Sequence, residues 1–345
     1  MKLSVHLLSW NSARYIPYLF ASLRRQSFKD WSLLIIDNAS QDDSVAMIKK
    51  ELEQFPTPAR IIENKNNVGF SPGHNQALKE CDAEYVLLLN HDMYLQPDCF
   101  EKMVTFLDSH PEAAAVSPRL MKWNFKEASE NFEKSLSTTV DALGIKIFRS
   151  RRAIEQYTQY DWNSIKMKFG QPTLEVFGVS GAFPMFRLSA VKKAFFSDGT
   201  MFDQSYESYK EDLDLAYRFR SEHLRSFVLL DVVAHHDRSG AGPREMGDSA
   251  ALKNKKVQAE WVKYHSYKNH LATLYKNEYW QNFLLDFPWI FWYELKKLVY
   301  FLLYDRKVLK GLQELWKNRK YLKKKRHEIK AKRTASWREM RQWWQ

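Results

Sequence analysis

Cysteine is nearly missing from this chain. Only Cys81 and Cys99 occur in 345 residues, with no metal-ligand spacing between them. That excludes a disulfide framework and fits a reducing compartment. Long apolar runs are missing too. The greasiest stretch, 283–304, is interrupted by Asp286, Pro288, Glu294, Lys296 and Lys297, so it lacks the ~20 consecutive apolar residues that span a bilayer. The opening residues, Met1 to Asn11, are too short and too polar for a signal peptide and read as a first strand. Neither the Walker nor the Rossmann glycine spacing occurs. There is no internal repeat, and the one biased segment is the lysine-rich Tyr321–Arg326.

Acidic residues are scarce at one end. From Lys253 onward, 23 Lys and Arg face 8 Asp and Glu, while the whole chain carries a net charge of +12. Residues 1–252 are therefore close to neutral, at about −3. A basic body would argue for nucleic acid. A near-neutral body with a basic, aromatic tail argues instead for an anionic surface. The length exceeds a typical single core, which implies one large domain with an appendage.

What is present is strand–helix alternation. Leu3–Ser9, Trp31–Ile36, Arg60–Ile62 and Tyr85–Leu89 read as strands. Helical spacing over Tyr15–Gln26, from Asp42 to about Gln54, and from Gly73 to Lys79 fills the gaps between them. Such alternation implies an α/β fold with a mostly parallel sheet and right-handed crossovers. Residues 122–173 lose the regularity and read as a functional loop or a partly disordered segment. Order resumes over Leu174–Phe186, and Phe227–Val233 reads as a last strand leading into His235 and His236. From Ala259 onward the chain reads as amphipathic helices.

Candidate chemistry lies where strands stop, since ligands of open parallel sheets bind beyond the carboxyl ends of the strands. Asp92 closes the run Tyr85–Asn90, and with Asn90 beside it can hold Mg²⁺ or Mn²⁺ on a diphosphate; it can equally cap the turn before Pro97. Asp37 ends the second strand beside Asn38 and Ser40, placed to accept the imide N–H of a uracil or thymine, or to cap the following helix. The stretch Asn67-Val68-Gly69-Phe70-Ser71-Pro72-Gly73-His74-Asn75 is a glycine-punctuated helix start that suits an anion or needs no ligand at all. Glu211, Asp212 and Asp214 open a helix. Asp212 can serve as a general base for a hydroxyl, or the three acids simply complement the helix dipole. His235 and His236 end a valine-rich strand beside the polar stretch Asp237-Arg238-Ser239-Gly240, where one of them can ligate a metal or donate to a diphosphate.

Taken in order over roughly residues 3–240, these motifs resemble the family 2 glycosyltransferases of the GT-A fold, and within them the bacterial rhamnosyltransferase-like enzymes of surface polysaccharide synthesis. The resemblance implies a nucleotide-diphospho-sugar transferase fold with a Rossmann-like, mostly parallel sheet and a C-terminal amphipathic helical extension. It implies a catalytic domain over 1–252, binding the nucleotide sugar with 1–120 and the acceptor with 121–252, and a basic aromatic helical extension over 253–345. Ser9, Trp10, Asn11 and Asp37 match the nucleotide-binding turns, Asn67, Gly69 and Asn75 the donor-side loop, and Phe177–Ala182 the segment supporting the acceptor side. Asn90-His91-Asp92 stands where the family has its Asp-x-Asp metal motif, with Asn replacing the first Asp. Asp92 and His236 are the implied metal ligands for Mn²⁺ or Mg²⁺, and Glu211 with Asp212 the implied catalytic pair.

The implied reaction is a single displacement with inversion, from a UDP- or dTDP-linked sugar to a saccharide or lipid-linked acceptor. In the tail, Trp280, Phe283, Trp289, Phe291, Trp292, Tyr293, Tyr300 and Phe301 are mixed with lysines, a mixture that favours an anionic membrane interface. We therefore expect a cytoplasmic protein, peripheral on the cytoplasmic face of the inner membrane, with no nucleic-acid partner. The alternative is a catalytically inactive membrane-associated assembly partner of a polysaccharide-synthesis complex.

Overall fold

The apolar runs become strands buried on both faces, which is why they read as continuous rather than alternating. The computed structural model describes residues 1–238 and 255–345. Its strands are β1 (Leu3–Ser9), β2 (Trp31–Asp37), β3 (Ala59–Glu63), β4 (Tyr85–Asn90), β5 (Met93–Leu95), β6 (Ala113–Trp123), β7 (Leu136–Ala142), β8 (Ile145–Ile147), β9 (Ala153–Glu155), β10 (Thr173–Val176), β11 (Met185–Arg187) and β12 (Arg225–His236). Ten of them form one sheet in the order β10-β12-β6-β11-β4-β1-β2-β3, with β5 beside β12 and β7 beside β6. The pairs β1/β2, β1/β4, β2/β3 and β6/β12 are parallel. β11 is wedged antiparallel between β4 and β6.

Of the helices with five or more residues, α1 (Ile16–Arg24), α2 (Ser44–Leu52), α3 (Phe70–Leu78), α4 (Cys99–Ser109) and α5 (Glu211–Ser221) belong to this body. Val5 and Leu7 of β1 and Leu87 and Leu89 of β4 share a core with Phe20 of α1, Ile48 of α2 and Phe100 of α4. The residues between them, Val86 and Leu88, face the opposite side and pack with Leu215 and Phe219 of α5. Two-residue periodicity thus sends alternate side chains into two cores.

Two readings change. Residues 122–173 are built of β7, the β8–β9 hairpin and short helical turns. Tyr157, Tyr160, Trp162 and Phe169 pack against the core around Val140, and the Arg119 guanidinium lies 3.9 Å from the Trp162 ring centroid. Burial here comes from aromatics distant in sequence, which leaves no periodic signal. The last strand also runs on to His236, because Met93 and Tyr94 of β5 pair with His236 and His235.

The tail forms α6 (Glu260–Asn277), α7 (Trp280–Tyr304), α8 (Lys310–Lys317), α9 (Arg319–Lys332) and α10 (Trp337–Arg341). These helices are folded against the sheet body. Asn277 donates to Asp214 at 2.7 Å and Lys325 to Asp198 at 2.8 Å. Trp344 packs on Phe177 and Tyr217, and the backbone of Gln345 bonds that of Ile147 and Arg149 at 3.1 and 2.9 Å. The expected boundary at 252/253, and Ser239 and Gly240 of the polar stretch, lie outside the described residues.

Candidate active site

Strand register gathers the first group. Ser9 pairs with Asp37 across β1/β2, and Leu8 pairs with Asn90 across β1/β4, so three neighbouring strands end together. Asp37 is 1% exposed. Its Oδ1 accepts from the hydroxyls of Ser40 (2.6 Å) and Ser9 (3.2 Å), and its Oδ2 from the Ser40 N–H (2.9 Å). A carboxylate has about four acceptor sites, so Oδ2 retains one for a ligand. Asn11, at φ 48°, accepts from the Gln41 N–H at 2.8 Å and donates its own N–H to Ser40 Oγ at 2.9 Å. Trp10 stands exposed beside this pair of turns.

Asn38 donates to the Gly69 carbonyl at 3.1 Å, tying the second strand end to the 67–75 loop. Asn67 accepts from the Gly69 N–H at 2.9 Å. Gly69 has φ +88°, and a Cβ there would lie 2.5 Å from the Glu207 carbonyl oxygen, so only glycine fits. Asn75 spends its amide on the backbone of Met201 and Phe202, with three bonds of 2.8–3.1 Å. Its side chain joins the loop to the segment that leads into α5.

The second group centres on His236. Its Nε2 lies 3.4 Å from Asp92 Oδ1, and its Nδ1 lies 2.9 Å from Asp141 Oδ2. Burial alone would depress the imidazole, but the two carboxylates outweigh it and push it up to about 9. Burial likewise opposes ionisation of Asp92, yet His236 holds its carboxyl down at about 2. His235, one residue earlier in the strand, points the other way; burial, and then Arg119, lower it to about 4. Arg238 extends the group, with Asp141 at 3.4 Å, Glu155 at 3.3 Å and the Ser180 hydroxyl at 3.0 Å.

The third group is the start of α5. Tyr209 and Lys210 are both left-handed, at φ 70° and 71°. This turns the chain sharply so that Glu211 goes inward and Asp212 faces the β11 approach. Asp212 accepts from the Gly181 N–H at 3.4 Å through Oδ2 and from the Leu213 N–H at 2.7 Å through Oδ1. Gly181 precedes Ala182, whose carbonyl accepts from the Asn90 N–H at 3.0 Å, so hydrogen bonds through residues 181 and 182 link Asp212 to the end of β4. Burial, with the Asp212 carboxylate beside it, raises Glu211 into the range where it keeps its proton at neutral pH.

Asp37, Asn90, Asp92, His236 and Asp212 are thus brought to one edge of the sheet. Asp141 and Glu155 were not anticipated. A lone acid inside the strand-like Ser-Thr-Thr-Val-Asp-Ala run was the available signal, since a buried charge needs a partner.

The family profile Glycosyl transferase family 2 matches residues 4–195, and the chain belongs to that family. Among curated relatives, it is 29% identical over 112 residues to the poly(ribitol-phosphate) beta-N-acetylglucosaminyltransferase TarS of Staphylococcus aureus, covering 32% of this chain and 19% of that protein. It is also 29% identical over 98 residues to chondroitin synthase of Escherichia coli, covering 28% of this chain and 14% of that protein. The chain therefore spans less than a fifth of the length of either. Among solved structures, GalNAc-T7 with UDP, GalNAc and Mn²⁺ superposes with a TM-score of 0.56 at 8% identity, over 80% of this chain and 48% of that one. The fold is the GT-A glycosyltransferase fold, a mainly parallel sheet, followed here by a helical C-terminal region.

Proposed function

We propose that this protein is an inverting glycosyltransferase that moves a sugar from a UDP- or dTDP-linked donor to a saccharide or lipid-linked acceptor in cell-surface polysaccharide synthesis. The observation that carries the reading is the convergence of the turns at Ser9 and Asp37, an acid–imidazole pair at Asp92 and His236, and the Asp212 carboxylate on one sheet edge. The names of the relatives above support the setting.

A divalent metal fits this edge. Asp92 Oδ1 is buried, makes no hydrogen bond and is ion-paired with His236 Nε2 at 3.4 Å, while Asp141 fixes Nδ1 from the far side in the carboxylate–histidine arrangement that orients metal-binding imidazoles; an ion between Asp92 and His236 would take the place of the Nε2 proton. Among the described residues no group of three or more acidic, histidine or cysteine side chains is placed to hold a metal ion. An ion at Asp92 and His236 would take its remaining ligands from phosphate oxygens and water. Bound there, Mn²⁺ or Mg²⁺ would neutralise charge on the departing diphosphate. Ser9, Asn11 and Asp37 would hold the base, with Trp10 beside them. Asp212 would take the proton of the acceptor hydroxyl as it attacks.

The reading is tested by thermal stabilisation with UDP, dTDP, GDP and CMP, each with and without Mn²⁺. A nucleotide at about 100 times its dissociation constant adds about 2.7 kcal/mol. We expect a Mn²⁺-assisted shift with UDP or dTDP, lost in Asp37→Ala and Asp92→Ala. No shift with any nucleotide would overturn the reading. Asp141→Asn should weaken Mn²⁺ binding in the presence of UDP by about 10–100-fold, followed by titration calorimetry; unchanged affinity would remove Asp141 from that role.

A further inference from the structure

Helix α7 is inside-out. The seam it turns inward holds Asn282, Asp286, Glu294 and Lys297 beside Ile290 and Phe301. Asp286 binds Arg149, Arg151 and Arg341 at 2.8–3.0 Å, and Glu294 binds His270 and Lys297 at 2.8 and 3.1 Å. Facing out instead are Leu284, Phe291, Trp292, Leu303 and Tyr304, at 61, 51, 59, 67 and 71% exposure. A helix meeting water places these classes the other way round, and an apolar patch of this extent marks an interaction surface. No helix among the described residues is long and apolar enough to cross a membrane.

The rim of this face is cationic. An open cleft of about 570 Å³ between α7 and the 148–152 loop is lined by Arg149, Ser150, Arg152, Trp289, Trp292 and Lys296, with the Arg149 guanidinium 3.7 Å from the Trp289 centroid. Beyond the far end of α7, Arg306, Lys307, Lys310, Lys317, Arg319 and Lys320 are exposed. The two acids of that stretch are ion-paired elsewhere, Asp305 with Lys263 and Glu314 with Lys268, and of the cations Lys307 pairs with Glu260 at 3.3 Å.

We propose that α7 lies in the surface of an anionic lipid bilayer, its aromatic face inserted at headgroup depth and the cleft receiving a phosphate-bearing headgroup. The charge chooses this occupant over a second copy, since a two-fold dimer would press like cations together. Aromatic rings between apolar tails and cations is the composition that interfacial helices use. On the catalytic reading, the placement has a purpose. The 148–152 loop caps the β8–β9 hairpin, and at its other end Glu155 meets Arg238 of the candidate site, so a lipid-linked acceptor held at the surface comes within a short hairpin of that edge.

The test is co-flotation of the full chain with vesicles of phosphatidylcholine, with and without about a third phosphatidylglycerol, at low and high salt. The double variant Phe291→Ser with Trp292→Ser alters only exposed side chains and should keep its melting temperature. We expect flotation with the anionic vesicles, weakened by salt, and reduced at least about tenfold in the variant. Absence of flotation, or flotation unchanged in the variant, would overturn the proposal. So would a wild-type dimer that the variant dissolves, which would assign the face to a second copy. Nucleotide-induced stabilisation should be equal in both proteins. Its loss from both with flotation intact would count against the transferase reading and leave the membrane face standing.

Discussion

Asp212→Asn is expected to slow sugar transfer by about 10²–10⁴-fold while leaving nucleotide binding intact, the range lost with a positioned general base. Asparagine keeps the shape of aspartate, and its one amide oxygen can still accept the short bond from the Leu213 N–H, giving up only the long one from the Gly181 N–H, so α5 and its approach stay in place. What it removes is the capacity to take a proton. Glu211→Gln supplies the contrast. That carboxyl is buried with Oε2 unpartnered and already keeps its proton, so replacing it with a neutral amide changes little in charge, and turnover should fall less than about tenfold. Nucleoside-diphosphate release, with water as the acceptor and the best-stabilising UDP- or dTDP-sugar as donor, reads both variants. Equal losses in the two would show that the pair acts by holding structure and not through a proton at Asp212.

The parts of this site that the sequence disclosed are those that end long apolar strands. Asp37 and Asp92 follow runs whose burial on both faces forces a recognisable pattern, and Glu211–Asp212 open a helix with periodic apolar residues. Asp141 and Glu155 sit in strands of seven and three residues, in a region whose aromatics pack across long sequence separations, so no local period marks their neighbours. β11 has three residues and its position between β4 and β6 is a matter of topology alone. That His236, and not His235, faces Asp92 required the strand to be seen running through both. The tail divides the same way. That helices occur beyond Ala259 follows from their spacing, but a periodic stripe does not say which side faces the protein, and α7 carries its apolar stripe outward.

The position of Asp212 depends on a group far from it in sequence. Lys276 on α6 is fully buried and bonds Asp203, and it lies 3.0 Å from Asp214 on α5. Arg218 holds the other oxygen of Asp214 at 3.2 Å, and the Tyr321 hydroxyl donates to Asp203 at 2.8 Å. Burial opposes the charge on Asp203, but Lys276 overrides it and holds the carboxyl well below its ordinary value.

Lys276→Met keeps the aliphatic stem and removes the ammonium, leaving two buried carboxylates short of a cation. Breaking one partner of a buried pair costs about 3–5 kcal/mol, and that loss should appear as a lower urea midpoint at pH 7. The pH dependence carries the sign. A carboxyl depressed in the folded state stabilises above its unfolded value of about 4 and loses that contribution as pH falls through the folded value. Without Lys276, only the Ser205 and Tyr321 hydrogen bonds remain to offset burial of Asp203, so the depression shrinks and acidification costs the variant less than the wild type. The stability difference between wild type and variant should therefore be largest near neutrality and shrink as pH falls from about 5 toward the depressed folded value. A difference independent of pH would mean that lost packing, and not the uncompensated charge, accounts for the damage.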